Sequence, residues 1–273
     1  MPFATARDAV RLYYEELGSG EPLLLISGQG ADHTSWDGVR DDFAANCRVI
    51  VSDHRGTGQS DKPETPPYTT RGFADDAVAI LDDLNMTRAH AYGVSMGGRI
   101  GQWLGIAYPH RIGALVLGCT TPGNAHGVRR LPEVDAALAS PTATPDERFA
   151  ALIHILYSPA WVEEHPDFVA TLWERMAQPI PVYAERLHYL ASEGHDAWDQ
   201  LPSIAAPTLV IHGSDDRLNP TANAPRLAER IPGAELYIVR GARHYYFEEF
   251  REEASRVVLG FLARHPLPAP SRT

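Results

Sequence analysis

The sequence predicts an α/β fold: a mostly parallel sheet with helices on both faces, interrupted by a helical insert. Three observations carry this prediction. Short apolar runs alternate with amphipathic helical stretches over the first 120 residues, the pattern of strands buried on both faces. The alternation stops between about residues 122 and 200, where tryptophans, prolines and helix-length segments take over. It then resumes near the C-terminus.

The elements follow in order. Val10, Leu12 and Tyr14 recur with period two, and Gly18-Ser19-Gly20 turns the chain. Residues 22–27 form an apolar run ending in glycines, and residues 48–53 form another around Val49, Ile50 and Val51. Residues 70–84 have helical spacing, with Phe73, Ala77, Ile80, Leu81 and Leu84 on one face. Residues 88–94 lead into a glycine-rich turn, and residues 112–118 are apolar again. The insert carries Trp161, Trp173 and Trp198 and helix-length stretches over 146–156 and 167–176. Strands are expected at 207–212 and 235–239, then a last helix from about 249 to 264. Residues 1–121 and 201–265 thus read as two parts of one core, 122–200 as the insert, and the proline-rich 266–273 as a frayed tail.

Composition narrows the function classes. At 273 residues the chain buries a full core without staples. Its 24 basic and 35 acidic side chains give a formal charge of −11, so the global basic field of non-specific nucleic-acid binding is missing. Two cysteines, Cys47 and Cys119, make no disulfide scaffold and are expected as reduced thiols. No apolar run reaches the ~18–20 residues of a membrane span, and the first residues have no apolar signal core. The expectation is a soluble cytoplasmic protein with no membrane or nucleic-acid partner.

Gly93-Val94-Ser95-Met96-Gly97 is a G-x-S-x-G sequence between an expected strand and an expected helix. A serine at that junction sits in a strained turn, and small residues two before and two after relieve crowding. The helix behind it aims free N–H groups at developing negative charge. Serine needs a positioned base, and the base needs an orienting acid. Asp215 and Asp216 follow the strand ending at His212, and His244 follows the strand ending near Val239. Both positions lie beyond the carboxyl ends of strands, where sites form in open α/β sheets. His212 is expected to be packed inside its strand, and His54 to be structural. No H-E-x-x-H pair occurs, so no catalytic metal is expected.

Together, Ser27-Gly28-Gln29-Gly30, residues 53–60 (DHRGTGQS), the 93–97 elbow, Gly213-Ser214-Asp215-Asp216 followed by Pro220, and Gly241-Ala242-Arg243-His244 resemble the α/β-hydrolase fold superfamily. The resemblance covers nearly the whole chain and implies an eight-stranded sheet and a helical lid. It implies a triad of Ser95, Asp216 and His244, with Asp216 fourth in G-x-x-D and four residues before Pro220. It places the oxyanion hole at the backbone N–H groups of Gln29 and Met96, and it implies no cofactor. The first turn reads Ser27-Gly28 where His-Gly is usual, which leaves a backbone donor intact. The elbow looks like the carboxylesterase and enol-lactonase branch, implying a small-molecule ester or lactone substrate. C–C bond hydrolases of ring-fission diketones and slow or non-catalytic receptors on this fold are the alternatives. Ser95 argues against the haloalkane dehalogenases and epoxide hydrolases, which use aspartate there.

In the insert, Trp161, Trp173, Tyr183, Tyr189 and Trp198 are candidates to line an apolar pocket, although packing explains each singly. Arg186 and His188 are candidates to bind a substrate carboxylate, against the plainer reading of a solvated helix face. A dinucleotide site is disfavoured: Gly28-Gln29-Gly30 follows a strand and Asp53 lies 23 residues beyond Gly30, but His33 stands at the third glycine position.

Overall fold

The computed structural model describes residues 2–65, 68–139, 144–176 and 180–268. Its strands are β1 (Phe3–Thr5), β2 (Arg11–Leu17), β3 (Glu21–Ile26), β4 (Cys47–Ser52), β5 (Ala89–Val94), β6 (Ile112–Gly118), β7 (Thr208–Gly213) and β8 (Glu235–Val239). They form one sheet of eight strands in the order β1-β2-β4-β3-β5-β6-β7-β8. β2 runs antiparallel to β1 and β4, and every other neighbouring pair is parallel.

Alternation along the strands divides the core. Leu24 and Ile26 of β3 join the cluster on one face, while Leu23 and Leu25 join the other. The first face is covered by α2 (Thr70–Asp83), α3 (Met96–Ala107) and α9 (Asn223–Arg230). The second is covered by α1 (Arg40–Ala44), α10 (Tyr246–Glu249) and α11 (Arg251–Ala263), with Trp36 and Phe261 fully buried. Val10, Leu12 and Tyr14 share the first cluster, as their period requires. Tyr13 is buried too, because Phe3 and His33 pack against its ring.

Between β6 and β7 the chain forms α4 (Pro132–Ala139), α5 (Pro145–Leu156), α6 (Pro159–Glu164), α7 (Pro166–Met176) and α8 (Val182–Glu193). α5 starts on a capping box between Thr144 and Glu147. Ile153, Leu156, Tyr157 and Leu172 form a small core of their own, with Leu218 and Tyr245 packed against it.

The last helix expected over 249–264 is broken at Phe250 (φ −119°, ψ 48°), which separates α10 from α11. The start of the tail is pinned rather than frayed: the Leu267 N–H donates to Glu21 at 2.9 Å. Residues 269–273 of the expected tail lie outside the described residues. Cys47 and Cys119 are buried and unbridged. Among the described residues no helix is long and apolar enough to cross a membrane.

Candidate active site

Ser95 stands at the junction of β5 and α3 with φ 56° and ψ −118°. That is the left-handed side of backbone space, where a residue with a side chain stores about 1–3 kcal/mol of strain. The turn is possible because its flanks are glycine. A Cβ on Gly93 would collide with the Gly97 carbonyl, and one on Gly97 with the Ile26 carbonyl. The serine backbone is held from both sides: its N–H donates to Gly118 at 2.9 Å, and its carbonyl accepts from Thr120 Oγ1 at 2.7 Å. Its side chain is partly exposed, and its Oγ takes no partner among the described residues.

Asp216 lies three residues past the end of β7 and is 6% exposed. Four donors converge on its carboxylate. Oδ1 accepts the N–H groups of Leu218 and Asn219, each at 2.9 Å. Oδ2 accepts His244 Nδ1–H at 2.8 Å and faces His212 Nε2 at 3.0 Å. Burial alone would raise this carboxyl. The charge attraction of His244, hydrogen bonds from His212 and His244, and the attraction of His212 outweigh it, so Asp216 is held well below the usual carboxylate range. Asp215 points elsewhere: it is exposed, and its Oδ1 accepts only Ser214 Oγ, at 2.8 Å, among the described residues.

His244 follows β8 and is 2% exposed. With Nδ1 committed to Asp216, its Nε2 has no partner among the described residues. Ser95, Asp216 and His244 therefore lie past the carboxyl ends of β5, β7 and β8 respectively, at one edge of the sheet. A hydroxyl and an imidazole nitrogen are both open there, and the imidazole is oriented from behind by a buried anion.

The turn after β3 runs beside them. A Cβ on Gly28 would sit 3.9 Å from Ser95 Oγ. The N–H groups of Gln29 and Met96 make no hydrogen bond among the described residues. The turn is tied down around them. Ser27 Oγ bonds to the Asp32 carbonyl at 3.1 Å and Ser35 Oγ at 2.9 Å, and His54 Nε2 reaches the Ser27 carbonyl at 3.1 Å. His33 donates its backbone N–H and its Nδ1–H to Asp53 Oδ1, at 2.8 and 2.6 Å. Burial works against a charged His33, but Asp53 and Glu15 outweigh it and raise its pKa. Asp32, His33 and Asp53 bring ligand-type atoms within 4.8 Å of one another. Both Asp53 oxygens are already occupied, Oδ2 by the Gln59 N–H at 2.6 Å, so the trio serves as a clasp on the turn.

Residues 21–250 match the model of the alpha/beta hydrolase fold family. The chain belongs to that family. It is 32% identical over 269 residues to a protein of Azorhizobium caulinodans with the provisional name carbamate hydrolase RutD, spanning 96% of this chain and 98% of the relative. It is 31% identical, over 93% of this chain and 92% of the relative, to a 2-hydroxy-6-oxononadienedioate/2-hydroxy-6-oxononatrienedioate hydrolase of Burkholderia vietnamiensis. Among solved structures it resembles Est816, described as an N-acyl homoserine lactone degrading enzyme, with a TM-score of 0.81 and 31% identity. That match covers 96% of this chain and all of the other. The names of these relatives describe enzymes that act on small molecules.

Helices α4–α8 of this hydrolase treat the expected pocket residues unequally. Trp161 is half-buried and stacks on Tyr157 at 4.7 Å, which stacks on Tyr245 at 5.3 Å, next to His244 in the chain. Trp173 is instead 40% exposed, with Nε1–H on Asp146 at 3.0 Å. Tyr183 is half-buried and donates to the Lys62 carbonyl at 2.7 Å, joining α8 to the core. Tyr189 is 45% exposed, and Trp198 stacks on His126 at 5.0 Å.

The two carboxylate-binding candidates divide, Arg186 as a solvated helix face would have it and His188 against that reading. Arg186 is exposed, and His188 is fully buried. Burial and nearby His54 lower His188 to about 4, so it is neutral. It donates Nε2–H to the Arg55 carbonyl at 2.8 Å and accepts the Gly30 N–H at 3.4 Å. It therefore ties α8 to the turn after β3.

Three residues near the site were hidden from motif reading. His212 is inside β7 and fully buried, as expected, but its Nε2 serves Asp216 and the Asn219 carbonyl, the latter at 2.7 Å. Its spacing of four residues before Asp216 is the available signal. Asn219 Nδ2 donates to the Cys119 carbonyl at 2.7 Å, pinning the acid loop to the end of β6. Arg99, buried in the first turn of α3, follows Ser95 by four residues.

Proposed function

We propose that the chain is a serine hydrolase that cleaves a carboxylic ester or lactone through an acyl-enzyme on Ser95. The observation that carries the reading is the buried Asp216–His244 pair, 2.8 Å apart, at the same sheet edge as the strained Ser95 elbow. In this reading His244 Nε2 takes the Ser95 hydroxyl proton as Oγ attacks the acyl carbonyl. Asp216 keeps the other imidazole nitrogen protonated and stabilises the cation that forms. The free N–H groups of Gln29 and Met96 receive the developing oxyanion, a role in which one lost donor typically costs about 100–1000-fold. His244 then protonates the leaving alkoxide and later activates water, which releases the acid and restores Ser95.

Residues 122–200 act as a cap over this edge, with Tyr157 stacked on Tyr245 of the histidine loop and Trp161 stacked on Tyr157. Docking of α5 beside His244 supports the cap: the Tyr245 N–H donates to the Leu156 carbonyl at 3.0 Å, and Tyr157 OH bonds to Glu248. No step requires a cofactor or metal, and the apolar character and length of the helices fit a cytoplasmic enzyme. Cleavage of a C–C bond in a diketone is the second reading, favoured by the resemblance to the Burkholderia hydrolase.

A panel of short acyl esters and lactones, given to the wild type and to Ser95→Ala, tests the proposal. Multiple turnover that disappears in a folded Ser95→Ala protein is the expected result. Turnover unchanged in that variant overturns it. Turnover of a diketone alone selects the second reading.

A further inference from the structure

Glu249 is the last residue of α10 and is half-buried. Its two carboxylate oxygens hold two different parts of the chain. Oε2 accepts the Arg243 N–H at 3.1 Å, immediately before His244. Oε1 accepts the Ser158 N–H at 3.2 Å, between α5 and α6. One carboxylate thus ties the histidine loop to the cap, with one backbone donor on each oxygen.

This bridge completes a set of contacts. The Tyr245 carbonyl accepts the N–H groups of Glu248 and Glu249, each at 3.0 Å, which lays α10 back over the loop. The Glu249 side chain then returns to Arg243, six residues earlier, and shuts the loop around His244. On the cap side three consecutive residues meet the same loop. Leu156 offers its carbonyl to the Tyr245 N–H at 3.0 Å, Tyr157 gives its hydroxyl to Glu248, and Ser158 gives its N–H to Glu249. Tyr157 is fully buried.

His244 depends on such support. Its ring is fixed at Nδ1 by Asp216, at 2.8 Å, and its Nε2 is open among the described residues. The direction of Nε2 is therefore set by that bond and by the backbone that carries the ring. Residues 240–245 connect β8 to α10, so no helix or strand fixes that backbone. Asp215 holds one side of it, donating its N–H to the Ala242 carbonyl at 2.9 Å, and Glu249 holds the next residue. A glutamine offers one accepting oxygen where the carboxylate offers two, so the double link requires the acid.

We propose that Glu249 is a positioning residue that carries the placement of the cap to His244. This rests on the hydrolase reading above and adds a coupling to it. A substrate that seats the corner between α5 and α6 against the loop also seats the Arg243 backbone, and with it the imidazole that takes the Ser95 proton. The bridge acts on proton transfer, so its loss falls on kcat rather than on KM.

Amide exchange of the wild type is the first test. The Arg243 and Ser158 N–H groups are expected to be protected and to open together, as parts of one cooperative unit. Exchange of either at the rate of an unstructured chain overturns the bridge, and this readout needs no variant to fold. Two variants then break the bridge from opposite sides. Glu249→Ala removes both acceptors. Ser158→Pro, compared with Ser158→Ala, removes the cap's N–H, and Ser158 has φ −68°, which proline adopts. Both are expected to lower kcat on a chromogenic butyrate ester about tenfold or more, with KM within about threefold, the pattern of a misplaced catalytic group. The double variant is expected to lose no more than Glu249→Ala alone, because that change has already broken the link. A change in KM alone, an unchanged kcat in either variant, or full additivity overturns the proposal. The low-field proton resonance of His244 Nδ1–H on Asp216 gives a readout without turnover. It is expected to broaden in both variants, while that of His33 on Asp53 stays. An unchanged His244 resonance overturns the positioning role, whereas a wild type that turns over no ester while its resonance responds to both variants overturns the hydrolase reading alone.

Discussion

Replacing Asp216 with asparagine changes few atoms but strikes the site at its most crowded point. The carboxylate has four donors around it: two backbone N–H groups on Oδ1, and His244 and His212 on Oδ2. An amide offers one accepting oxygen, so one pair of donors must face its NH₂. If the NH₂ faces the histidines, His244 relieves the clash by moving its proton to Nε2, and it can no longer accept the Ser95 proton. The comparable change in a serine protease lowers kcat about 10⁴-fold, which corresponds to about 5.5 kcal/mol of transition-state stabilisation. If the NH₂ faces Leu218 and Asn219 instead, two buried donors lose their acceptor at about 1–3 kcal/mol each. The variant is therefore less stable by a few kcal/mol, and its circular dichroism and urea midpoint must accompany the kinetics. The assay is kcat/KM on a chromogenic butyrate ester, with Asp215→Asn as control. Asp215 is exposed and remote from His244, so its exchange leaves activity within about threefold. A folded Asp216→Asn protein within tenfold of wild type, or a greater loss in Asp215→Asn, refutes the reasoning.

Two further perturbations test the scaffold. His188 is neutral when folded, lowered to about 4, whereas the unfolded histidine titrates near 6.5. The unfolded state binds more protons in that window, so stability falls as pH drops from about 6.5 to 4, by up to about 3 kcal/mol. His188→Gln should flatten the acid-side fall of the urea midpoint, and an unchanged slope counts against the buried neutral ring. Arg55 holds Asp76 through two bonds, at 2.7 and 2.6 Å, with both side chains buried. Arg55→Met strands that carboxylate and should cost about 3–5 kcal/mol by chemical denaturation, whereas a loss below 1 kcal/mol would show the pair to be dispensable.

Much of this architecture was legible because it depends on local pattern. Parallel strands buried on both faces appear as unbroken apolar runs, so β3 through β7 could be read directly, whereas β8, at the sheet's end with Glu235 and Leu236 exposed, is legible only by its short apolar stretch. β1 is three residues long and gains its strand character only by pairing with β2. α9 fully buries only Ala224 and Leu227 among its apolar residues, too few to display a period. The positions of Ser95, Asp216 and His244 past the ends of β5, β7 and β8 were readable because each is tied to a motif at a strand end. The exposure of Trp173 and the burial of His188 were not legible because helices α4–α8 pack through long-range contacts. Periodicity marks which residues share a helix face, but it does not say which face meets solvent. Thus Trp173 faces outward and His188 is enclosed.

Burial of charged and polar groups does not by itself mark this site. Arg55 with Asp76, His33 with Asp53, and His195 between Thr70 and Gln102 are as buried as the triad candidates, and each is closed on partners within the protein. Ser95 Oγ, His244 Nε2 and the N–H groups of Gln29 and Met96 differ because they are open among the described residues. Folding normally satisfies polar groups, so open ones that cluster at one sheet edge have been left for something that arrives later. Openness alone is not enough either: Trp36 Nε1, within the core, and His212 Nδ1, on the far side of a ring already serving Asp216, are also unpartnered. What separates the site is the combination of open atoms with an opposite chemical role for each. In the proposed reaction these are a hydroxyl to attack, a nitrogen to take its proton, and two donors to hold the negative charge that results.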